Sequence, residues 1–167
     1  MVFQNIVFGI LATVMVLAAW RLVTTQNVVR AALFLVIVLA GVAGQYVLLA
    51  AEFLFAVQIV VYIGAIVVLF LFGIMLTRAP IGRDAGLDND QKALSAIVAL
   101  FFLGVLGVVL VQAWGDAKLE FPKDPALLPR AADLGDAFLG PYVIPFEVVS
   151  VLLLAALVGA VAIARRD

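Results

Sequence analysis

Apolar residues run along this chain in five unbroken blocks, without the alternation of a half-buried strand or the stripe of an amphipathic helix. A helix needs roughly 20 apolar residues to cross the hydrocarbon core of a bilayer. We therefore predict an all-α integral membrane protein in which residues 1–167 form a single membrane domain. Its five transmembrane helices are expected near residues 2–20, 28–50, 53–77, 93–114 and 142–164.

The third block, AVQIVVYIGAIVVLFLFG, is rich in Ile and Val, which in a soluble protein indicates a buried strand. Inside a bilayer no water is available to bond the backbone of a lone strand, so we predict a helix here as well. The first block lacks the basic start of a secretory signal, and we expect it to be an uncleaved span. Small residues that allow close helix packing recur along the spans: Ala40/Gly44, Gly104/Gly107, Ala155/Gly159 and Ala156/Ala160.

The connections between the blocks carry most of the charge. RLVTTQN and AE are short, whereas residues 78–92 and 115–141 are longer and contain Pro, Gly and Asp, which end helices. Five spans place Lys118, Lys123 and Arg130 on one side and Arg21, Arg30, Arg78, Arg83, Lys92, Arg165 and Arg166 on the other. Because basic residues favour the cytoplasmic side, we predict an external N-terminus, a cytoplasmic C-terminus, a cytoplasmic loop 78–92 and an external loop 115–141.

Composition agrees with a membrane protein and narrows the chemistry. Hydrophobic residues make up 67% of the chain, charged residues make up 13%, and the mean hydropathy is +1.29. The chain has no Cys and no His. It therefore lacks the usual ligands of haem, iron–sulfur clusters and catalytic zinc, and we assign it no catalytic, cofactor-binding or metal-binding residue. The net charge of −1 predicts no nucleic-acid partner.

Polar or flexible residues interrupt the third block at three positions, Gln58, Tyr62 and Gly64. Gln58 and Tyr62 are four residues apart, which in an α-helix places them on one face, and an unpaired amide or hydroxyl in hydrocarbon costs several kcal/mol. That face is therefore expected to contact protein or water, either as simple hydrogen bonding between helices or as part of a functional site. Gly64 fits both close packing and a local weakness such as a kink or π-bulge.

Two carboxylates lie at or near the starts of spans. Glu52 opens the third helix, where the helix dipole favours a negative charge, so capping and function both remain open. Glu147 lies well inside the fifth span if that helix starts after Pro141, which would make it a functional acid. If the helix starts at Pro145, Glu147 is another first-turn carboxylate. Ser150, one turn further on, is placed to bond to it.

The stretch AEFLFAVQIVVYIGAIVVLFLFGIML, followed later by LGPYVIPFEVVSVLLLAALVGAVAIARRD, resembles subunit J of the proton-pumping NADH:quinone oxidoreductase, respiratory complex I. The mitochondrial counterpart is subunit 6. The resemblance covers nearly the whole chain and implies a non-catalytic membrane subunit in the inner (plasma) membrane of a bacterium. Its partners would be the other membrane subunits and the lipid bilayer. The parent complex would use FMN, iron–sulfur clusters, NADH and quinone, none of them bound by this chain.

In this family the third helix carries a π-bulge and changes its winding as the complex moves between states. The resemblance therefore implies that Gly64 is a hinge, that Tyr62 turns with it, and that Gln58 belongs to the same gate. Glu147 and Glu52 are then candidate acids of a proton path or structural acids. Two other hypotheses stay open from the residues alone: a small cation/proton transporter or antiporter subunit that exchanges ions at Glu147, and a purely structural membrane anchor.

Overall fold

The computed structural model describes residues 2–76, 91–115 and 130–165, without the side chain of Lys92. Residues 78–90 of the predicted loop 78–92 and residues 116–129 of the predicted loop 115–141 lie outside these ranges, as do Arg166 and Asp167. Within them the chain is helical except at turns. The helical elements are α1 (Val2–Thr24), α2 (Val28–Leu48), α3 (Glu52–Val57), a π-helical segment (Gln58–Val67), α4 (Val68–Leu76), α5 (Lys92–Trp114), α6 (Ala131–Leu139) and α7 (Val143–Ala164).

Five helical stretches in the described chain are long and apolar enough to cross a membrane, which confirms the predicted number and helical character of the spans. α1, α2, α5 and α7 each account for one of them. α3, the π segment and α4 follow one another without a break and together form the remaining stretch, Glu52–Leu76, called here the third span. The first span extends further than predicted, to Thr24, and α6 is a helix that the sequence pattern did not predict.

α1 and α2 pack closely because small residues line part of α2. Gly41 lies directly under the Met15 side chain of α1, with no room for a Cβ unless that side chain moves. A Cβ at Gly44 would lie 3.0 Å from Cδ1 of Leu11. Of the predicted small-residue pairs, the Ala40/Gly44 pair thus contributes one close approach, through Gly44, while Ala40 itself is exposed. A Cβ at Gly104, Gly107 or Gly159 would have no described neighbour within 4 Å beyond the backbone of its own helix.

Among the described helices, α1, α2 and the third span form one packed group, and α6 and α7 form a pair. α2 contacts α1 on one side and all three parts of the third span, and α6 contacts α7. In contrast, every described side chain of α5 is exposed, and α7 is exposed throughout except at Gly159, which is half-buried. α2 is therefore the element that holds the third span in position.

A tight turn reverses the chain between α2 and α3. Ala50 adopts a positive φ of 55°, and the N–H groups of Ala50 and Ala51 donate to the carbonyl oxygens of Val47 and Tyr46 at 3.0 and 2.9 Å. These bonds satisfy carbonyls at the end of α2 that have no partner within the helix. The left-handed conformation is strained for any residue with a Cβ, so the turn is formed at a local cost.

Replacing Ala50 with Gly should stabilise the chain by about 1 kcal/mol, because glycine adopts a positive φ without steric strain. The measurement is the temperature at which half of the tagged chain is lost from the folded fraction in mild detergent. Ala40→Gly is the control, because Ala40 is exposed inside the helix α2, where glycine should lower the midpoint. A midpoint that rises equally in both variants would contradict the strain at Ala50.

Candidate functional site: the π-helical segment of the third span

The middle of the third span is wound as a π-helix over ten residues, QIVVYIGAIV. Six of these ten are Val or Ile, whose branched side chains crowd the preceding turn of an α-helix, and one is Gly64, which also weakens a helix. A π-helix bonds each N–H to the carbonyl five residues earlier, which widens the turn. A stretch with low α-helical propensity thus lies where the winding changes.

The chain enters and leaves the π segment without a break in backbone conformation. Val57, Gln58 and Val68 all keep α-helical dihedral angles, close to φ −60° and ψ −43°. At the entrance the Gln58 N–H donates to the carbonyls of both Leu54 and Phe55, and at the exit the Val68 N–H donates to the Ala65 carbonyl. At these junctions the two windings differ in hydrogen-bond pairing and not in the region of φ, ψ space.

The side of the third span that meets α2 is marked by its less exposed side chains. Gln58 and Val67 are buried, and the side chains half-buried along the same line are Ile63, Leu71 and Ile74. Within the π segment the spacing is five residues from Gln58 to Ile63 and four from Ile63 to Val67. It is then four residues to Leu71 and three to Ile74 in α4. The nine steps along the chain from Gln58 to Val67 therefore make two turns, compared with about 2.5 turns at 3.6 residues per turn in an α-helix.

Gln58 is the one buried polar side chain in the part of the chain that the structure describes. It is 5% exposed, and its Nε2 donates to the carbonyl oxygen of Leu39 on α2 at 3.3 Å. Because the acceptor is a backbone carbonyl, the bond ties the start of the π segment to the main chain of α2. In this conformation Gln58 forms an interhelical hydrogen bond, which was one of the two interpretations that the sequence left open.

Tyr62 does not share the burial of Gln58, so the two side chains do not both pack against α2 in this conformation. Tyr62 is 46% exposed, and its hydroxyl makes no hydrogen bond to another described residue. The spacing of four residues between them predicts that both lie on one face of the helix. In the π segment the next side chain toward α2 is Ile63, five residues after Gln58, which leaves Tyr62 at the edge of the contact.

Gly64 lies on the exposed side of the π segment. A Cβ added there would lie 3.4 Å from the carbonyl oxygen of Ile59, an ordinary van der Waals distance, and no other described helix comes within 4 Å of it. Close packing against another described helix therefore does not explain the glycine in this conformation. Its effect on helix propensity remains an explanation that does not need a neighbour.

The two acidic candidates lie away from the π segment. Glu52 is the exposed first residue of α3 and makes no side-chain cap bond, so the dipole of the helix is its main interaction within the chain. Glu147 is the fifth residue of α7, about 6 Å along the helix from Val143. Its exposed carboxylate has no hydrogen bond or ion pair with another described residue. The Ser150 hydroxyl does not bond to it as expected, but donates to the Phe146 carbonyl at 2.9 Å.

Pro145 does not mark the start of α7, because the helix begins two residues earlier, at Val143. Proline is tolerated in the first turn, where backbone N–H groups have no partner within the helix. The fifth span therefore starts between the two positions that the sequence suggested. Within the described residues, no group of three or more His, Cys, Asp and Glu side chains is placed to hold a metal ion.

Comparison with known proteins adds an independent observation. Residues 18–163 match the family described as NADH-ubiquinone/plastoquinone oxidoreductase chain 6. The chain belongs to this family. The resemblance inferred from the third and fifth blocks is thereby confirmed, and the homologues are membrane subunits of complex I-type quinone oxidoreductases.

Three relatives illustrate the range of this family. The chain is 41% identical to subunit J of an F(420)H(2) dehydrogenase from Methanosarcina mazei, over 98% of this chain and 92% of the relative. It is 39% identical to subunit 10 of an NADH-quinone oxidoreductase from Thermus thermophilus, over 96% of this chain and 89% of the relative. It is 37% identical to chain 6 of an NAD(P)H-quinone oxidoreductase from a Nostoc species, over 98% of this chain and 80% of the relative. These relatives are named for different electron donors.

Gln58→Leu and Gln58→Ala separate the hydrogen bond of Gln58 from its packing. Leucine fills much of the same volume, so it should cost only the interhelical bond, about 0.6 kcal/mol in a membrane. Alanine also leaves a cavity against α2 and should cost at least about 2 kcal/mol. Both are measured as loss of the folded fraction of the tagged chain with temperature. Equal losses would mean that the bond to Leu39, and not packing, dominates at this position.

Proposed function

We propose that this chain is a non-catalytic membrane subunit of a proton-pumping NADH:quinone oxidoreductase, and that its third span is a conformational gate between quinone reduction and proton translocation. Family membership supports the first part. The single observation that carries the second part is the π-helical winding of Gln58–Val67, which contains all three residues of the expected gate. A helix segment that changes its winding can open or close a polar path without doing chemistry itself.

The change of winding has a definite geometric consequence. If Gln58 keeps its place against α2, a regular α-helix completes about half a turn more by Val67 than the π segment does. Val67, now 3% exposed, would then turn to the opposite side of the span. Ala65 and Leu69 would take its place against α2, although both are exposed now, Leu69 at 74%. All of α4 would rotate with them.

Three features favour easy conversion between the two windings. The junction residues already have α-helical dihedral angles, so at these points conversion exchanges hydrogen-bond acceptors and leaves φ and ψ in one region. The bond from Gln58 to the Leu39 carbonyl lies at the start of the segment and can persist in both windings. Gly64 removes a side chain from the segment that rewinds. The Tyr62 hydroxyl, which has no partner among the described residues, would be re-aimed by the rotation and could complete or interrupt a chain of waters.

The electron donor does not need to touch this chain. Relatives with up to 41% identity are named for F(420)H(2), NAD(P)H and NADH, which supports a role common to enzymes with different donors. In the proposed assembly, FMN, iron–sulfur clusters, NADH and quinone are bound by other subunits. The chain would lie in the inner (plasma) membrane of a bacterium, with its N-terminus outside and its C-terminus in the cytoplasm. Glu147 and Glu52 are proposed as acids that face partner subunits or a proton path.

The parent complex can be tested directly with a tag after Asp167. In native membranes extracted with mild detergent, the tag should comigrate with a very large NADH:quinone reductase and pull down its activity. A small homo-oligomer without that activity would instead favour the cation/proton transporter, with Glu147 as its exchange site. Ion-coupled transport by the isolated chain in proteoliposomes would decide between them.

Leu69→Trp tests the gate, because residue 69 is exposed now and must move against α2 on rewinding. Tryptophan should be accommodated in the present conformation but should overpack the rewound one by about 1–3 kcal/mol. We expect assembly as in wild type and a roughly 5- to 150-fold smaller population of the α-helical form. The measurement is proton pumping coupled to quinone reduction in inverted vesicles.

Val60→Trp is the matched control for this variant, because residue 60 is exposed and points away from α2 in both windings. It should pump as wild type does. NADH oxidation by an artificial acceptor, which needs only the subunits that bind NADH and FMN, should be unchanged in both variants. Normal pumping by an assembled Leu69→Trp complex would reject the gate while leaving the chain a subunit of that complex.

A further inference from the structure

The nine-residue helix α6 is not explained by the family assignment or by the gate. It lies immediately before α7 and carries two aspartates. We propose that α6 is an interfacial helix that lies in the lipid headgroup region, with its apolar side against the edge of the bilayer and its acidic side in water. This inference rests on α7 spanning the membrane and does not depend on the gate.

The turn between α6 and α7 fixes where α6 lies. Only residues 140–142 separate the two helices. The Tyr142 N–H donates to the Ala137 carbonyl at 3.0 Å, and the Val143 N–H donates to the Gly140 carbonyl at 3.3 Å. The Phe138 ring stacks on Phe146 with centroids 6.3 Å apart. The last turn of α6 therefore lies beside the first turn of α7, at the level where the apolar fifth span enters the membrane.

The two sides of α6 differ in polarity. At 3.6 residues per turn, Asp133 and Asp136 fall on one side, while Leu134 and Phe138 fall on the other. Contact with α7 leaves Leu134 half-buried and Phe138 39% exposed, while Leu139, at the end of the helix and between its two sides, is 75% exposed. Lipid would cover such an exposed apolar side chain, because it lies next to the point where a span enters the membrane.

The helix start needs no partner protein to hold it. The Arg130 N–H donates to Oδ2 of Asp133 at 2.8 Å, and the Asp133 N–H donates to the Arg130 carbonyl at 3.1 Å. Asp133 thus stabilises the first turn from within. A nine-residue helix is still too short to be stable alone in water, so it needs a surface along its apolar side.

Aromatic residues at the join favour lipid as that surface. Phe138, Tyr142 and Phe146 cluster where α6 meets α7, and Tyr142 is exposed. Tyrosine is enriched at the membrane–water interface, because its ring is apolar and its hydroxyl is polar. By resting on the bilayer surface, α6 would fix the depth of α7. Glu147, which follows Phe146 directly, would thereby be held just inside the interface.

The test uses single cysteines in the tagged chain of the assembled complex in native membranes. The chain has no Cys of its own, so a large polymer maleimide shifts the mass of the tagged subunit only at the introduced thiol. Asp136→Cys should react quickly. Leu139→Cys should react at least about tenfold more slowly, because lipid excludes the reagent and raises the pKa of the thiol. Equal rates would leave Leu139 in water together with the acidic side of α6 and overturn the proposal.

A second measurement identifies what covers Leu139. The photo-crosslinking residue p-benzoylphenylalanine replaces Leu139 or, as the control, Asp136, and the tagged chain is analysed by mass after illumination. A lipid adduct at 139 and none at 136 is the expected result. A crosslink from 139 to another protein subunit would mean that a partner covers α6, which would also overturn the proposal.

Discussion

A helix backbone inside a bilayer has no water to bond with, so each N–H and C=O group of a span must find its partner within the protein. This constraint shapes the third span more than any other element. Its Ile- and Val-rich middle is poorly suited to an α-helix, yet it cannot unwind in lipid. The π segment Gln58–Val67 meets both conditions, because it widens the turn while the span stays continuous and helical.

The same constraint explains why α2 is the scaffold of the three-span group. Without a hydrophobic force to drive helices together in lipid, association depends on close packing and on polar contacts. α2 provides both. Gly41 and Gly44 let Met15 and Leu11 of α1 approach its backbone, and the Leu39 carbonyl accepts the amide of Gln58 from the third span. Only small side chains and a main-chain acceptor are needed for these contacts.

Different parts of this arrangement were accessible from the sequence to different degrees. The five spans could be predicted because about 20 consecutive apolar residues have no other stable environment than lipid. The burial of Gln58 followed from the cost of an unpaired amide, but its partner did not, because a backbone carbonyl has no signature in the sequence. The contact of Ile63 rather than Tyr62 with α2 could not be predicted, because it depends on the local winding of the π segment. α6 was missed because its apolar side has too few residues to show a period among Asp, Gly and Pro.

The energetics of the proposed gate follow from what rewinding would exchange. Both windings keep the backbone bonded, so their free energies differ mainly through the side chains placed against α2. The exchange would turn Val67, Leu71 and Ile74 away from α2 and bring Ala65 and Leu69 toward it, with Gln58 unchanged. Because apolar side chains would be exchanged for apolar side chains, contacts with partner subunits, typically worth about 1–3 kcal/mol, would select between the two forms of the proposed gate. The exposed side of the third span is large enough to receive those contacts, which is what a gate controlled from neighbouring subunits requires.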